Sequence, residues 1–150
     1  MEWYSSTVGD LNMKENYINP TDAAAMALFS KGIKGEVVML NMIKFKDKAD
    51  YSEHPQLAPE KDITGEQAYQ IYMQHTQPFL VESGGEVIFM GTAAEYFIGP
   101  ADASWDLVFL VKQKSLQHFM AFATNEDYLA GIGHRTAAVE DSRLLPIMPK

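Results

Sequence analysis

The chain carries two stretches that are apolar on both faces when read as extended strands. The first is 36–45. Val37, Met39, Asn41, Ile43 and Phe45 fall on one side, and Val38, Leu40, Met42 and Lys44 on the other. The second is 105–111. Trp105, Leu107, Phe109 and Val111 alternate with Asp106, Val108 and Leu110. Strands of this kind are covered on both sides.

Between and after them the period changes to that of a helix. Thr64-Gly65-Glu66-Gln67 has the spacing of a capping box, with Thr64 as N-cap and Gln67 reaching back. Ala68, Ile71, Tyr72, His75, Phe79 and Leu80 then share one helical face. Pro78 predicts a kink or a break, and Gly84-Gly85 a stop. Ser115 caps a further helix with Leu116, Phe119, Met120 and Ala123 on its buried side. A second helical stretch over about 126–140 carries Leu129, Ile132, Thr136 and Val139, weakened by Gly131 and Gly133. Strand signals at 86–90 continue past Gly91 to 96–98, and a last strand over 142–148 takes an edge position because of Pro146. Ahead of all this lies a polar, irregular arm to about residue 19. Asn19-Pro20 then opens a short helix that ends at Gly32. Residues 47–63 form a long loop.

The order is β-α-β-β-α-β with an extra N-terminal helix. It predicts an α+β domain of ferredoxin-like topology over 36–150, with a four-stranded antiparallel sheet, preceded by an arm and short helix over 1–35. In that topology the first and third strands are central, and these are the two with double apolar faces. Helices on one side of the sheet leave the other side bare. A second copy in a twofold pair, or the N-terminal arm of the same chain, must cover it.

The strand with Leu40-Asn41-Met42-Ile43-Lys44-Phe45, the Gly84-Gly85 stop, the Trp105-Asp106 strand start and the ending His134-Arg135 … Glu140-Asp141-Ser142-Arg143-Leu144 resemble the dimeric α+β-barrel superfamily. Within it they are similar to a small branch, the domain of unknown function family 1330. The resemblance spans about 36–146. It implies a homodimer whose sheets face each other, and a cleft between sheet and helices where relatives hold small organic ligands or haem. It implies no particular reaction.

Composition narrows the partners. With 12 Lys and Arg against 20 Asp and Glu, the net charge is −8 and no basic run offsets it. That balance disfavours nucleic acid and anionic membrane surfaces. The absence of cysteine excludes disulfides, thiolate metal sites and a thiol nucleophile. The opening Met1-Glu2-Trp3-Tyr4 is not a secretory signal, and no apolar run is long enough to span a bilayer. The expected compartment is the cytoplasm.

Candidate chemistry is sparse. Asn41, in a buried strand, needs hydrogen-bond partners and could orient a ligand or bond a neighbouring loop. Lys44 lies on the opposite strand face, with its stem on apolar surface and its ammonium toward water. His75 is the candidate general base, or else a satisfied core histidine. Tyr72, with Tyr69 three residues before it, suits the polar lining of an apolar pocket. Arg135 either holds a ligand carboxylate with its planar fork or pairs with Glu140 or Asp141. His134, beside it, points about 100° away along the helix. The four histidines have no metal-binding spacing, and there is no phosphate loop or nucleophile elbow. The expected function is binding or conversion of a small apolar or aromatic organic acid, with no cofactor. The alternatives are a non-catalytic dimer and, through Asn41, Trp105 and His118, haem degradation of the kind found among superfamily relatives.

Overall fold

The computed structural model describes residues 15–150. The first 14 residues of the expected arm lie outside the described residues. Thr21, not Asn19, caps the first helix, α1 (Asp22–Phe29), by accepting from the Ala24 N–H at 3.0 Å. Strand β1 (Val37–Phe45) is followed by a loop with a single 3-10 turn at Pro55–Leu57. Helix α2 (Gly65–Glu82) opens with the predicted capping box: Gln67 N–H donates to Thr64 Oγ1 at 3.0 Å, and Thr64 N–H to Gln67 Oε1 at 2.9 Å. Strands β2 (Glu86–Thr92) and β3 (Leu107–Gln113) come next. Helix α3 (Leu116–Ala123), the one-turn α4 (Glu126–Leu129), α5 (Ile132–Ala138) and β4 (Val139–Ile147) complete the chain.

The sheet order is β2-β3-β1-β4, antiparallel throughout, so β1 and β3 are central as the double apolar faces required. In β1, Val37, Met39 and Ile43 are buried beneath the helices. Leu40 stands opposite Leu110, and Met42 opposite Val108, on the other face. The first strand's two faces are thereby assigned: Asn41 looks toward the helices and Lys44 away from them.

Several boundaries differ from expectation. Pro78 neither breaks nor ends α2, which runs from Gly65 to Glu82. Its ring removes one backbone donor, while burial of Tyr72 before it and Leu80 after it keeps both halves seated on the sheet. The second strand stops at Thr92, opposite Leu107, so the apolar run Tyr96-Phe97-Ile98 belongs to a connection and not to the sheet. The stretch expected as one helix over 126–140 divides at Ala130-Gly131, and β4 begins at Val139. Gly131 lies against the His75 ring, where a Cβ would collide with the imidazole.

Helix α1 and the residues after it pack Leu28, Phe29 and Ile33 on Val37, Met39 and Leu116, which is the helix side of the sheet. The described part of the N-terminal segment therefore leaves the opposite apolar face open. Among the described residues, no helix is long and apolar enough to cross a membrane.

Candidate functional site

Beneath the helices, three tyrosines and an arginine come together over the centre of the sheet. Tyr69 and Tyr72 sit three apart on α2, so both rings descend from its buried face, with centroids 5.2 Å apart. Tyr128 arrives from α4, which exists because Asn125 caps it: its Oδ1 accepts from the N–H of Asp127 at 2.9 Å and of Tyr128 at 3.1 Å. The hydroxyls of Tyr72 and Tyr128 are 2.6 Å apart. Phe109 of β3 and Phe122 of α3 complete the aromatic walls.

Arg135 enters from α5. Its Nη1 donates to the Ile18 carbonyl at 2.6 Å and its Nη2 to Ser142 Oγ at 3.3 Å. Its positive charge also acts on the Tyr69 and Tyr128 hydroxyls, lowering their pKa values against the larger effect of burial. The expected pairing of Arg135 with Glu140 or Asp141 is not made. Asp141 instead binds Arg143 at 2.6 Å and accepts from Tyr17 N–H. β-strand alternation explains this: Ser142 faces the helices and Arg135, while Asp141 and Arg143 flank it. Among the described residues Arg135, half-buried, has no carboxylate partner.

Burial raises the pKa of both Tyr69 and Tyr128 far above the usual phenol range, and neighbouring Tyr72 adds to it. These phenols remain neutral hydrogen-bond donors and do not serve as bases.

Asn41 points into the same layer, flanked by Phe109 on β3 and Leu144 on β4. Its Nδ2 donates to its own strand at Met39 O, 3.1 Å away. His75 is half-buried, stacks near Phe79 and turns its Nε2–H to the carbonyls of Asp127 at 2.8 Å and Tyr128 at 3.2 Å. The imidazole thus ties α2 to the turn that presents Tyr128. Its neighbour in sequence logic, His134, faces the 47–63 loop and receives the Tyr51 hydroxyl on Nδ1 at 2.7 Å.

The residues of the haem reading are dispersed. Trp105 precedes β3 and donates its Nε1–H to Tyr96 at 2.6 Å. Exposed His118 shares its Nδ1 with Ser115, 2.6 Å away, in the cap of α3. No three His, Asp or Glu among the described residues are placed to hold a metal ion.

A separate open groove of about 550 Å³ lies at the other margin of α2. Phe45, Gln70, Met73, Met90, Asp106 and Leu107 are among the residues that line it. One of its acids is used in the fold, since Asp106 Oδ2 accepts from Phe45 N–H at 2.8 Å. The tyrosine–arginine layer is the richer chemistry. Sequence reading picked out Asn41, Tyr72 and Arg135 from it but missed Tyr128, whose only signal was the Asn125 cap.

No protein-family model matches the chain, and comparison with curated proteins gave no match. Two solved structures of the RPA0582 protein do match, one of the methylated protein and one of the protein of unknown function from Rhodopseudomonas palustris. Each is 31% identical, with TM-scores of 0.80 and 0.79, over 91% of this chain and 97% and 98% of theirs. A DABB-family protein with a ferredoxin-like fold from Mesorhizobium loti matches at a TM-score of 0.50 and 12% identity, over 78% of this chain and 99% of that one, which shows a shared fold alone.

Proposed function

The chain belongs to the family of the RPA0582 protein of Rhodopseudomonas palustris, and we propose that it is a homodimer that binds a small aromatic or apolar organic acid between its sheet and its helices. The observation that carries the acid site is the guanidinium of Arg135. It is half-buried, it is surrounded by neutral phenols, and no carboxylate among the described residues balances it. A cation withdrawn from water is stabilised by an anion held in the same place. A carboxylate matches the planar fork of arginine with two parallel hydrogen bonds. The rings of Tyr69, Tyr72, Phe109 and Tyr128 favour an aromatic or apolar body behind that carboxylate.

In this reading Arg135 holds the carboxylate, while Asn41 and Tyr72 orient the remaining polar atoms of the ligand. Tyr128 donates from the opposite wall. His75 positions Tyr128 through the backbone of α4, a different task from the proton transfer expected of it. The dimer is supported by the open face of the sheet. Phe89 is 62% exposed, Leu145 58% and Ile147 40%, beside Leu40, Met42, Val108 and Leu110. A continuous apolar surface of this kind is stabilised by a self-complementary partner. The His134-Arg135 … Arg143 ending also supports a place in the domain of unknown function branch of the α+β-barrel superfamily.

Calorimetric titration with benzoate, phenylacetate and hexanoate, against benzamide and benzyl alcohol, tests the acid site. Binding of at least one carboxylate, lost in Arg135→Met and absent for the neutral analogues, is the expected result. Equal binding of acid and amide would overturn the assignment.

A further inference from the structure

The residues just before α1 cross the edge strand β4 and end on the acid site. Tyr17 N–H donates to Asp141 Oδ1 at 2.8 Å. The Tyr17 carbonyl accepts from Ser142 N–H at 2.8 Å and from Ser142 Oγ at 2.6 Å. One residue on, the Ile18 carbonyl takes the Nη1–H of Arg135 at 2.6 Å, while the Ile18 side chain packs against the aromatic core. This 15–19 segment is therefore a strap, held to β4 by polar bonds and to the core by one apolar side chain.

The contact between Ile18 and Arg135 is short because the donor is charged. The carbonyl oxygen supplies partial negative charge to a guanidinium that has no carboxylate partner among the described residues. It occupies the Nη1 direction that one oxygen of a bidentate carboxylate would need. A full carboxylate is the stronger acceptor for the same donor. Downstream, Pro20 and the Thr21 cap begin α1, which has its own anchors at Leu28 and Phe29. Opening the strap would break the bonds of Tyr17 to Asp141 and Ser142 and of Ile18 to Arg135, while the Leu28 and Phe29 anchors of α1 are separate from them.

We propose that the 15–19 strap is an autoinhibitory lid on the acid site: the Ile18 carbonyl stands in for the ligand carboxylate at Arg135, and binding exchanges one for the other. This rests on the acid-site reading above. If the closed lid and the ligand compete for Arg135, weakening the lid raises the apparent affinity, because a larger fraction of molecules is competent to bind.

The test uses the full chain and benzoate as probe. Calorimetry gives the affinity of the wild type and of Ile18→Ala, which removes the apolar anchor and leaves both the carbonyl and Arg135 in place. Hydrogen exchange of the peptide containing residues 15–19 is followed in the wild type with and without benzoate, a readout that does not depend on the variant. The lid predicts roughly three- to tenfold tighter benzoate binding in Ile18→Ala and faster exchange of the strap when benzoate is bound. Benzoate binding with unchanged strap exchange, and with equal or weaker affinity in Ile18→Ala, overturns the lid and leaves the acid site standing. Failure of benzoate, phenylacetate and hexanoate to bind either protein overturns the acid site and the lid together.

Discussion

Tyr72 and Tyr128 place their hydroxyl oxygens 2.6 Å apart in the layer between sheet and helices, with ring centroids 6.1 Å apart and the rings nearly edge to face. Each is more than nine-tenths buried, at 8% and 7% exposure, so each hydroxyl depends on the other for a partner. Replacing either with phenylalanine leaves a buried hydroxyl unsatisfied, at a cost of about 1–3 kcal/mol. The double variant Tyr72→Phe, Tyr128→Phe removes both polar groups and costs clearly less than the sum of the two singles. A double-mutant cycle by urea unfolding measures this, and strict additivity would show that the two hydroxyls do not depend on each other.

His134 makes stability depend on pH. Burial, and then the charge of nearby His75, hold its pKa below the ordinary histidine value. On acidification the unfolded chain therefore takes up this proton before the folded chain does. The contribution is fully present above the unfolded pKa of about 6.5 and is lost as pH falls through that value toward the lower folded one. The neutral ring is also the form whose Nδ1 accepts the Tyr51 hydroxyl. In His134→Asn the melting temperature should fall less between about pH 7 and pH 5 than in the wild type. A parallel decline in both proteins would remove His134 from the account.

Gly65 is the point where three elements meet. Its N–H donates to Lys46 O at 3.1 Å, and Lys46 N–H in turn donates to Ala138 O at 2.8 Å. A Cβ at residue 65 would collide with the backbone oxygens of both Lys46 and Ala138. Because backbone cannot move aside as a side-chain tip can, Gly65→Ala should cost about 1–3 kcal/mol or more. Chemical denaturation measures it. A neutral result would mean that α2 can shift away from the end of β1 at no cost, and with it Tyr69 and Tyr72.

Much of this architecture is legible in the residues. The two doubly apolar strands identify the sheet centre, and β1 and β3 are the central pair in the order β2-β3-β1-β4. The Thr64 box identifies the start of α2 because its two hydrogen bonds are local. What local pattern cannot supply is competition between elements. Pro78 reads as a break, yet packing on both sides of it carries the helix through. Tyr96-Phe97-Ile98 reads as strand, yet β3 begins opposite Thr92 and offers it no partner, so Phe97 is fully exposed. The partner of Arg135 was open for the same reason. Glu140 and Asp141 are its sequence neighbours, but strand alternation turns Ser142 inward and leaves the guanidinium to an isoleucine carbonyl 117 residues away. Beyond the Asn125 cap, nothing local marks Tyr128 as a site residue, because its place is set by contacts with Tyr72 and Phe122 that no periodicity records.

In the proposed assembly one face of the sheet packs on a second copy while the other face, beneath the helices, holds an organic acid. Native mass spectrometry of freshly purified protein tests both halves in one spectrum. The expected result is a species of two chains at micromolar concentration that gains the mass of one carboxylate per chain when an acid of the binding panel is added. A spectrum of bare monomers, unchanged by any carboxylate in the panel, would contradict it.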